Sequence, residues 1–107
     1  MERRRRVRVA LRLAFEVFSR DRYLGRFWTR DVSQEGLFLE VNDPEGLSGT
    51  LLSLCFRAAG VEHRLRGIAI RKVQGQGVGI QLAFWRQADD DAFAAYRKLI
   101  QPDPDAG

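Results

Sequence analysis

Hydrophobic residues alternate with polar or small ones along most of this chain. The clearest run places Val9, Leu11, Leu13, Phe15 and Val17 at every second position. Successive side chains of a β-strand point to opposite faces, so this period predicts a strand from Val9 to Val17 with one buried face. Comparable stretches follow, separated by short segments rich in Gly, Asp, Asn and Ser that favour turns. The later predicted strands cover residues 23–30, 37–41, 50–56, 61–70 and 78–84.

The fifth stretch changes its apolar face partway along. The odd-numbered residues from Val61 to Leu65 share one face, whereas Ile68 and Ile70 continue the period in the opposite phase. An extra residue that shifts the phase of a strand is a β-bulge, and a glycine inside a strand often marks one. The pattern therefore predicts a bulge near Gly67.

The last part of the chain has a helical pattern. Three aspartates at residues 89–91 favour a helix N-terminus, and Arg97 and Lys98 favour a C-terminus, because both groups complement the helix dipole. Prolines at residues 102 and 104 stop the helix, which we predict over residues 88–101. One helical face carries Ala92, Phe93, Tyr96, Leu99 and Ile100.

Six short strands in hairpin order and one helix predict a small all-β fold. Such a chain forms an antiparallel barrel or a curled sheet, with the apolar face of the helix packed on an open end or face. The 107 residues are enough for one hydrophobic core but not for two. We therefore expect a single compact domain.

The composition excludes several classes of protein. No apolar run approaches the roughly 20 residues that span a bilayer, and the N-terminal arginines are not followed by the continuous apolar segment of a secretory signal. The lone cysteine, Cys55, cannot form an intrachain disulfide and lies in an apolar run typical of a buried strand. We expect no membrane span and a cytoplasmic location.

Positive charge is concentrated in the first twelve residues. Six arginines and one glutamate give residues 1–12 a formal charge of +5, and the chain's total of +4 leaves −1 for the rest. Every cation in this segment is arginine, whose planar fork can bind a phosphate or a guanine edge with two parallel hydrogen bonds. On its own, such a run is also typical of a solvated tail or a nonspecific nucleic-acid arm.

The residue inventory does not suit an enzyme. The chain has one histidine, His63, in a predicted strand, and no His, Cys or Asp cluster at metal-ligand spacing. Glycines at residues 75, 77 and 79 lead into a strand rather than a helix, so they lack the context of a phosphate-binding loop. We predict no catalytic residues, no metal and no cofactor.

A polar segment between the second and third predicted strands contains Asp31, Ser33 and Gly36. Taken alone, Asp-x-Ser-x-x-Gly is a common turn, in which Asp and Ser bond the local backbone and Gly supplies a positive φ.

The arginine segment and this turn together resemble a known family, the PilZ domains. The resemblance begins with Glu2–Arg3–Arg4 and Arg8, which run straight into an alternating strand, as in the opening RxxxR motif of that family. The paired family motif, Asp/Asn-x-Ser-x-x-Gly after the second strand, is matched at the turn just described. Further similarity lies in Gly67-x-x-Ile70 and in residues 77–82, and the whole resemblance covers residues 2–100.

The resemblance implies a six-stranded antiparallel PilZ-type β-barrel with one C-terminal α-helix, acting as a receptor for the bacterial second messenger cyclic di-GMP. It implies that the RxxxR arginines clamp the phosphates and the Hoogsteen edge of guanine, while the DxSxxG turn holds the other guanine edge. These chemistries suit the residue types, because arginine matches guanine O6 and N7 bidentately. Carried over by position, the ligand-binding residues are Arg3 as an accessory, Arg4, Arg8, Asp31, Ser33 and Gly36.

The same reasoning divides the chain into three parts. Residues 1–8 form a flexible ligand-binding arm, residues 9–101 the barrel and helix, and residues 102–107 a tail. Successive like charges repel, so we expect the arm to be mobile until a dianionic ligand neutralises it and orders it against the barrel. That ordering would change the surface offered to a downstream protein.

Two other functions compete with the receptor. The first is an adaptor of the same fold that binds proteins but no nucleotide. The second is a nucleic-acid-binding barrel with Phe27, Trp28 and Phe38 as stacking residues, which the slightly acidic body disfavours. The downstream partner, the number of ligands per site and the choice between monomer and homodimer stay open.

Overall fold

The computed structural model describes residues 8–43, 47, 51–83 and 89–100. The six strands close into one antiparallel barrel in the order β1-β2-β3-β6-β5-β4. This confirms the predicted six-stranded barrel with one C-terminal helix. The elements are β1 (Ala14–Ser19), β2 (Arg22–Val32), β3 (Gly36–Glu40), β4 (Leu51–Ala58), β5 (Val61–Val73), β6 (Gly77–Ala83) and α1 (Asp89–Ile100).

Alternation along the strands fills the interior of the barrel. Phe15 and Val17 are fully buried, whereas Glu16 between them faces outward. The helix packs against β5 and, to a lesser extent, β4, with Tyr96 fully buried on its inner face. Burying side chains of this size provides most of the favourable free energy of folding in a domain this small.

The first strand is shorter than the alternation predicts. Residues 8–13 run beside β2, but the Thr29 hydroxyl occupies the ladder there: it accepts from Leu13 N–H at 2.8 Å and donates to the Leu11 carbonyl at 2.6 Å. Farther out, Val9 and Val32 exchange two backbone hydrogen bonds of 2.8 and 2.9 Å. The segment is therefore docked on the barrel without being part of a continuous strand.

The prediction of a bulge near Gly67 is wrong. Gly67 pairs in register with Leu82, and its role is packing, since a Cβ there would lie 2.5 Å from Cγ2 of Ile80. The register of β5 shifts between Ala69 and Arg71 instead.

The helix of the described part is neither long nor apolar enough to cross a membrane. Cys55 is a buried free thiol in β4. The predicted tail, residues 102–107, lies outside the described residues.

Candidate functional site

A β-bulge in β2 turns two consecutive side chains to the outside of the barrel. Thr29 pairs with Leu39 and Asp31 pairs with Phe38, which makes Arg30 the extra residue. Strict alternation would send the side chain of Asp31 into the core, but the bulge leaves both Arg30 and Asp31 on the outer face and keeps the next residue inside. A charged pair thus stands at one place on the surface.

A second bulge does the same in β5. Ala69 pairs with Ile80 and Arg71 pairs with Gly79, so that Ile70 is the extra residue. Ile70 is 62% exposed, and Arg71 beside it is exposed as well. The two bulges therefore bring four outward side chains to the same region of the sheet.

One row of paired residues joins the two bulges across the outer face. It runs from Asp31 on β2 through Phe38 on β3 and Gly79 on β6 to Arg71 on β5. Neighbouring strands lie about 4.8 Å apart, so the row is about 14 Å long. Because Gly79 has no side chain, the floor is open in the middle, and a cavity of about 320 Å³ lies above it.

Arg8 forms one wall of this cavity. Its Nη2 and Nε lie 2.6 and 2.8 Å from the same oxygen of Asp31, Oδ1. The hydrogen bonds between Val9 and Val32 fix the backbone next to Arg8, which explains why the fork meets this carboxylate. The Arg8 side chain is 50% exposed and that of Asp31 is 23% exposed, so solvent can reach the pair.

Arg30 covers the aromatic part of the floor. Its Cζ lies 3.9 Å from the centre of the Phe38 ring, which is why a phenylalanine on the outer face is only 1% exposed. Arg30 Nη1 donates to Gln76 Oε1 at 3.0 Å, and Nε is 3.5 Å from Asp31 Oδ2. The guanidinium is held in place by a ring and a neutral amide, with only a distant carboxylate contact.

The turn at residues 33–36 is closed by its own serine. Ser33 N–H donates to the Gly36 carbonyl at 2.8 Å, and the Ser33 hydroxyl accepts from the N–H groups of Glu35 and Gly36, each at 3.2 Å. A smaller cavity of about 230 Å³ borders this turn and reaches Arg8 from the other side. Because Arg8, Ile70 and Ile80 border both cavities, the two are adjacent halves of one groove.

The expected positive φ at Gly36 is wrong. Gly36 starts β3 and is not among the residues with a positive φ. A Cβ on it would lie 2.3 Å from the Ile80 carbonyl oxygen. Glycine is needed here because β6 passes so close.

Tyr96 supports the turn from inside the protein. Its hydroxyl donates to the Ser33 carbonyl at 2.7 Å and lies 3.3 Å from the Gly36 carbonyl. Burial raises the pKa of the Tyr96 phenol above its usual value of 10.0, so the group stays protonated as a donor. Helix α1 and the turn are thus joined by one buried side chain.

We predict that Tyr96→Phe lowers the free energy of unfolding by about 1–3 kcal/mol, because the buried Ser33 carbonyl loses the hydroxyl that donates to it at 2.7 Å. Urea unfolding monitored by tryptophan fluorescence measures this. The matched control is Tyr23→Phe, whose exposed hydroxyl bonds Glu16 at the surface; we expect almost no change there. Equal effects in both variants would contradict the anchoring role.

The same variant has a pH signature. The folded-state pKa of Tyr96 is raised, whereas an unfolded tyrosine ionises near pH 10. The stabilisation from this group is therefore complete below pH 10 and is lost as the pH rises above that value. We expect the stability advantage of the wild type over Tyr96→Phe to shrink above pH 10, as measured by urea unfolding at a series of pH values.

The structure brings together four of the six residues predicted to bind ligand: Arg8, Asp31, Ser33 and Gly36. Arg3 and Arg4 lie outside the described residues. Arg30 and Arg71, which also border the cavity, were not predicted as site residues, because nothing in the composition marks the bulges that turn them outward. Tyr96 was predicted to lie on the apolar face of the helix, but no sequence pattern predicted that its hydroxyl would bond the Ser33 carbonyl in the turn.

The groove has the chemistry of a site for an anion that carries a polar ring. Arg8, Arg30 and Arg71 border the cavity together with one carboxylate, that of Asp31. A carboxylate accepts hydrogen bonds from ring N–H groups, whereas forked guanidiniums bind phosphates and carbonyl oxygens. Among the described residues, no three His, Cys, Asp or Glu side chains are grouped to hold a metal ion.

The three aromatic residues predicted as a stacking surface do not share one. Phe27 packs against the core, Phe38 is covered by Arg30, and Trp28 is exposed on the outer face. The Cζ atom of Arg12 lies 5.3 Å from the Trp28 ring centre, and that of Arg26 lies 5.6 Å from it. A continuous aromatic platform for single-stranded nucleic acid is therefore not formed by these residues.

Comparisons with known proteins agree with this architecture. The family model of the PilZ domain matches residues 2–101. Among solved structures, the crystal structure of the PilZ domain of CeSA from a cellulose-synthesizing bacterium is similar, with a TM-score of 0.68 and 21% sequence identity. That match covers 88% of this chain and 94% of the other. A search of curated proteins found no match.

Proposed function

We propose, from the premise that this chain belongs to the PilZ domain family, that it is a bacterial cyclic di-GMP receptor. The RxxxR segment with Arg3, Arg4 and Arg8 and the turn with Asp31, Ser33 and Gly36 would clamp the dinucleotide. The protein would act by binding in the cytoplasm, without catalysis and without a cofactor. Ligand-driven ordering of the arm would change the binding of a protein partner.

The observation that carries this proposal is the contact between Arg8 and Asp31 at the edge of the cavity. The two residues come from the two separate sequence motifs, and their side chains meet at 2.6 Å. A carboxylate can accept from guanine N1–H and N2–H, and a guanidinium can donate to guanine O6 and N7. The pair offers both halves of a guanine-binding site.

Binding would require this ion pair to exchange partners, and the exchange is cheap. An ion pair with this much solvent access is worth about 0–1 kcal/mol. Hydrogen bonds between charged groups and a ligand are worth about 1.5–3 kcal/mol each. Two such bonds to guanine or phosphate outweigh the contact that is given up.

The roles within the turn differ in kind. Asp31 faces the groove, whereas the Ser33 hydroxyl bonds the turn's own N–H groups. We expect Ser33→Ala to weaken cyclic di-GMP binding through a looser turn, by about tenfold or less, since one neutral hydrogen bond is worth about 1 kcal/mol. Calorimetric titration of the variant beside the wild type measures this, and an unchanged affinity would contradict it.

A calorimetric titration with cyclic di-GMP tests the proposed receptor, with GMP and a DNA oligomer as controls at about 0.15 M salt. We expect heat with the cyclic dinucleotide and much weaker binding of both controls. The adaptor alternative predicts no heat with any nucleotide. Preferential binding of DNA would favour the nucleic-acid-binding alternative.

The proposed ordering of the arm has its own test. Amide hydrogen exchange on residues 2–8 should slow when cyclic di-GMP is added, because the segment then docks on the ligand. Exchange in residues 37–40 of β3 serves as the internal control and should not change. Equal exchange of residues 2–8 with and without ligand would rule out the switch while leaving the receptor itself standing.

A further inference from the structure

Arg71 is a charged side chain at the site with no assigned task. It borders the 320 Å³ cavity and is exposed. Within the part of the chain that the structure describes, it makes no ion pair or hydrogen bond. Strict alternation after the buried Ala69 would turn Arg71 inward, and the bulge at Ile70 prevents this. The strand is therefore irregular at the point that places a cation beside the cavity.

The cavity carries more positive than negative charge, because Arg8, Arg30 and Arg71 border it with one carboxylate, that of Asp31. Asp31 lies 2.6 Å from Arg8 and 3.5 Å from Arg30. Arg30 also bonds the neutral amide of Gln76, and Arg71 stands across Gly79 from Phe38. One carboxylate thus serves two arginines, and Arg71 faces the cavity without one.

Unbalanced cations that line a concave surface favour an anion between them. Arg30 is restrained by the Phe38 ring at 3.9 Å, so little of its side-chain freedom remains to be lost on binding. The cavity gives an anionic group access above Gly79, because this residue lines the cavity and adds no side chain to it. Charge, restraint and space point to the same kind of occupant.

We infer that Arg30 and Arg71 form a second anion subsite, which binds a phosphodiester of the dinucleotide. The inference rests on the proposed cyclic di-GMP receptor and deepens it: Arg8 and Asp31 hold a guanine, and Arg30 and Arg71 hold a phosphate above Phe38 and Gly79.

Titrations of cyclic di-GMP into Arg71→Gln, Arg71→Lys and the wild type test this. We expect Arg71→Gln to weaken binding about tenfold, the effect of one charge-assisted hydrogen bond at an exposed site. Arg71→Lys should stay within about threefold of the wild type, since a point charge still attracts a phosphate. Arg64→Gln is the matched control: it removes an exposed arginine from the same strand, outside the cavity, and should not change the affinity.

The outcomes separate the subsite from the receptor. Wild-type affinity in Arg71→Gln would overturn the subsite and leave the receptor intact. Equal losses in Arg71→Gln and Arg71→Lys would also overturn it, because the arginine would then act by its shape and not its charge. If the wild type itself does not bind cyclic di-GMP, the receptor and the subsite fall together.

Discussion

Arg8→Ala is expected to abolish measurable binding of cyclic di-GMP, with a loss of at least about 100-fold. The wild-type fork can make two charge-assisted hydrogen bonds to the ligand, each worth about 1.5–3 kcal/mol. The substitution also removes the 2.6 Å partner of Asp31 and leaves this carboxylate only the 3.5 Å contact with Arg30, so Asp31 would repel the ligand's phosphates more strongly. Calorimetric titration at about 0.15 M salt measures the loss.

The loss should be specific to binding. Because the Arg8 side chain is half exposed and the Asp31 side chain is 23% exposed, removal of the ion pair should cost about 1 kcal/mol of stability or less. Arg8→Lys should not restore the affinity, since a point charge lacks the fork that matches guanine O6 and N7.

Arg12→Ala is the matched control for Arg8. Arg12 lies in the same segment and forms a 2.9 Å ion pair with Glu40, but it does not border either half of the groove. We expect its affinity to stay within about twofold of the wild type. Similar affinities in the Arg8 and Arg12 variants would mean that the Arg8 fork does not contact the ligand.

Gly36→Ala is expected to be the most destabilising single substitution at the site. The added Cβ would lie 2.3 Å from the Ile80 carbonyl oxygen, and its other near neighbours are also backbone atoms of β6. The clash can therefore be removed only if β3 and β6 move apart. Overpacking of this kind costs about 1–3 kcal/mol and at times more. We expect about 3 kcal/mol, because the pairing of β3 with β6 is disturbed. The midpoint of urea unfolding reports the change.

Gly79→Ala separates this clash from the general effect of adding a methyl group. Gly79 lies on the adjacent strand, and a Cβ there would meet its nearest atom at 3.8 Å. The free energy of unfolding should therefore change by about 0.5 kcal/mol or less. Comparable destabilisation in both variants would show that the approach of Ile80 is not the reason for glycine at residue 36.

The barrel was predictable because its signal repeats. Each strand carries a period of two, which is independent of tertiary contacts, and hairpin turns separate the strands. The N-terminal end of the first strand was misplaced for a local reason: Leu11 and Leu13 alternate as in a strand, but the Thr29 hydroxyl takes the place of the backbone partner. Nothing in the alternation itself reveals such a substitution.

The site was only half predictable. Arg8 and Asp31 were identified because they belong to spaced motifs, and the structure pairs them. Arg30 and Arg71 were missed because a bulge adds a residue without changing composition. The bulge in β5 was predicted at Gly67 because glycine often marks a bulge, whereas the register of the strand shifts at Ile70. The register between strands determines which arginines lie on the same surface. This register depends on the pairing of segments far apart in the chain, so no local pattern in the sequence reveals it.

The closed barrel limits how a partner protein can recognise this domain. Each of the six strands has a neighbour on both sides, so the described strands leave only partial stretches of free edge, such as Arg22–Phe27 of β2, which pairs with β1 alone. Recognition by adding a strand is therefore limited to such stretches, because the paired edges have no free backbone donors and acceptors. Over the paired parts of the barrel a partner has to recognise side chains, and the side chains whose contacts would change on binding cyclic di-GMP are those of the arginines around the groove. A partner would then detect cyclic di-GMP binding as a change in the charge exposed around the groove, while the backbone of the barrel stays unchanged.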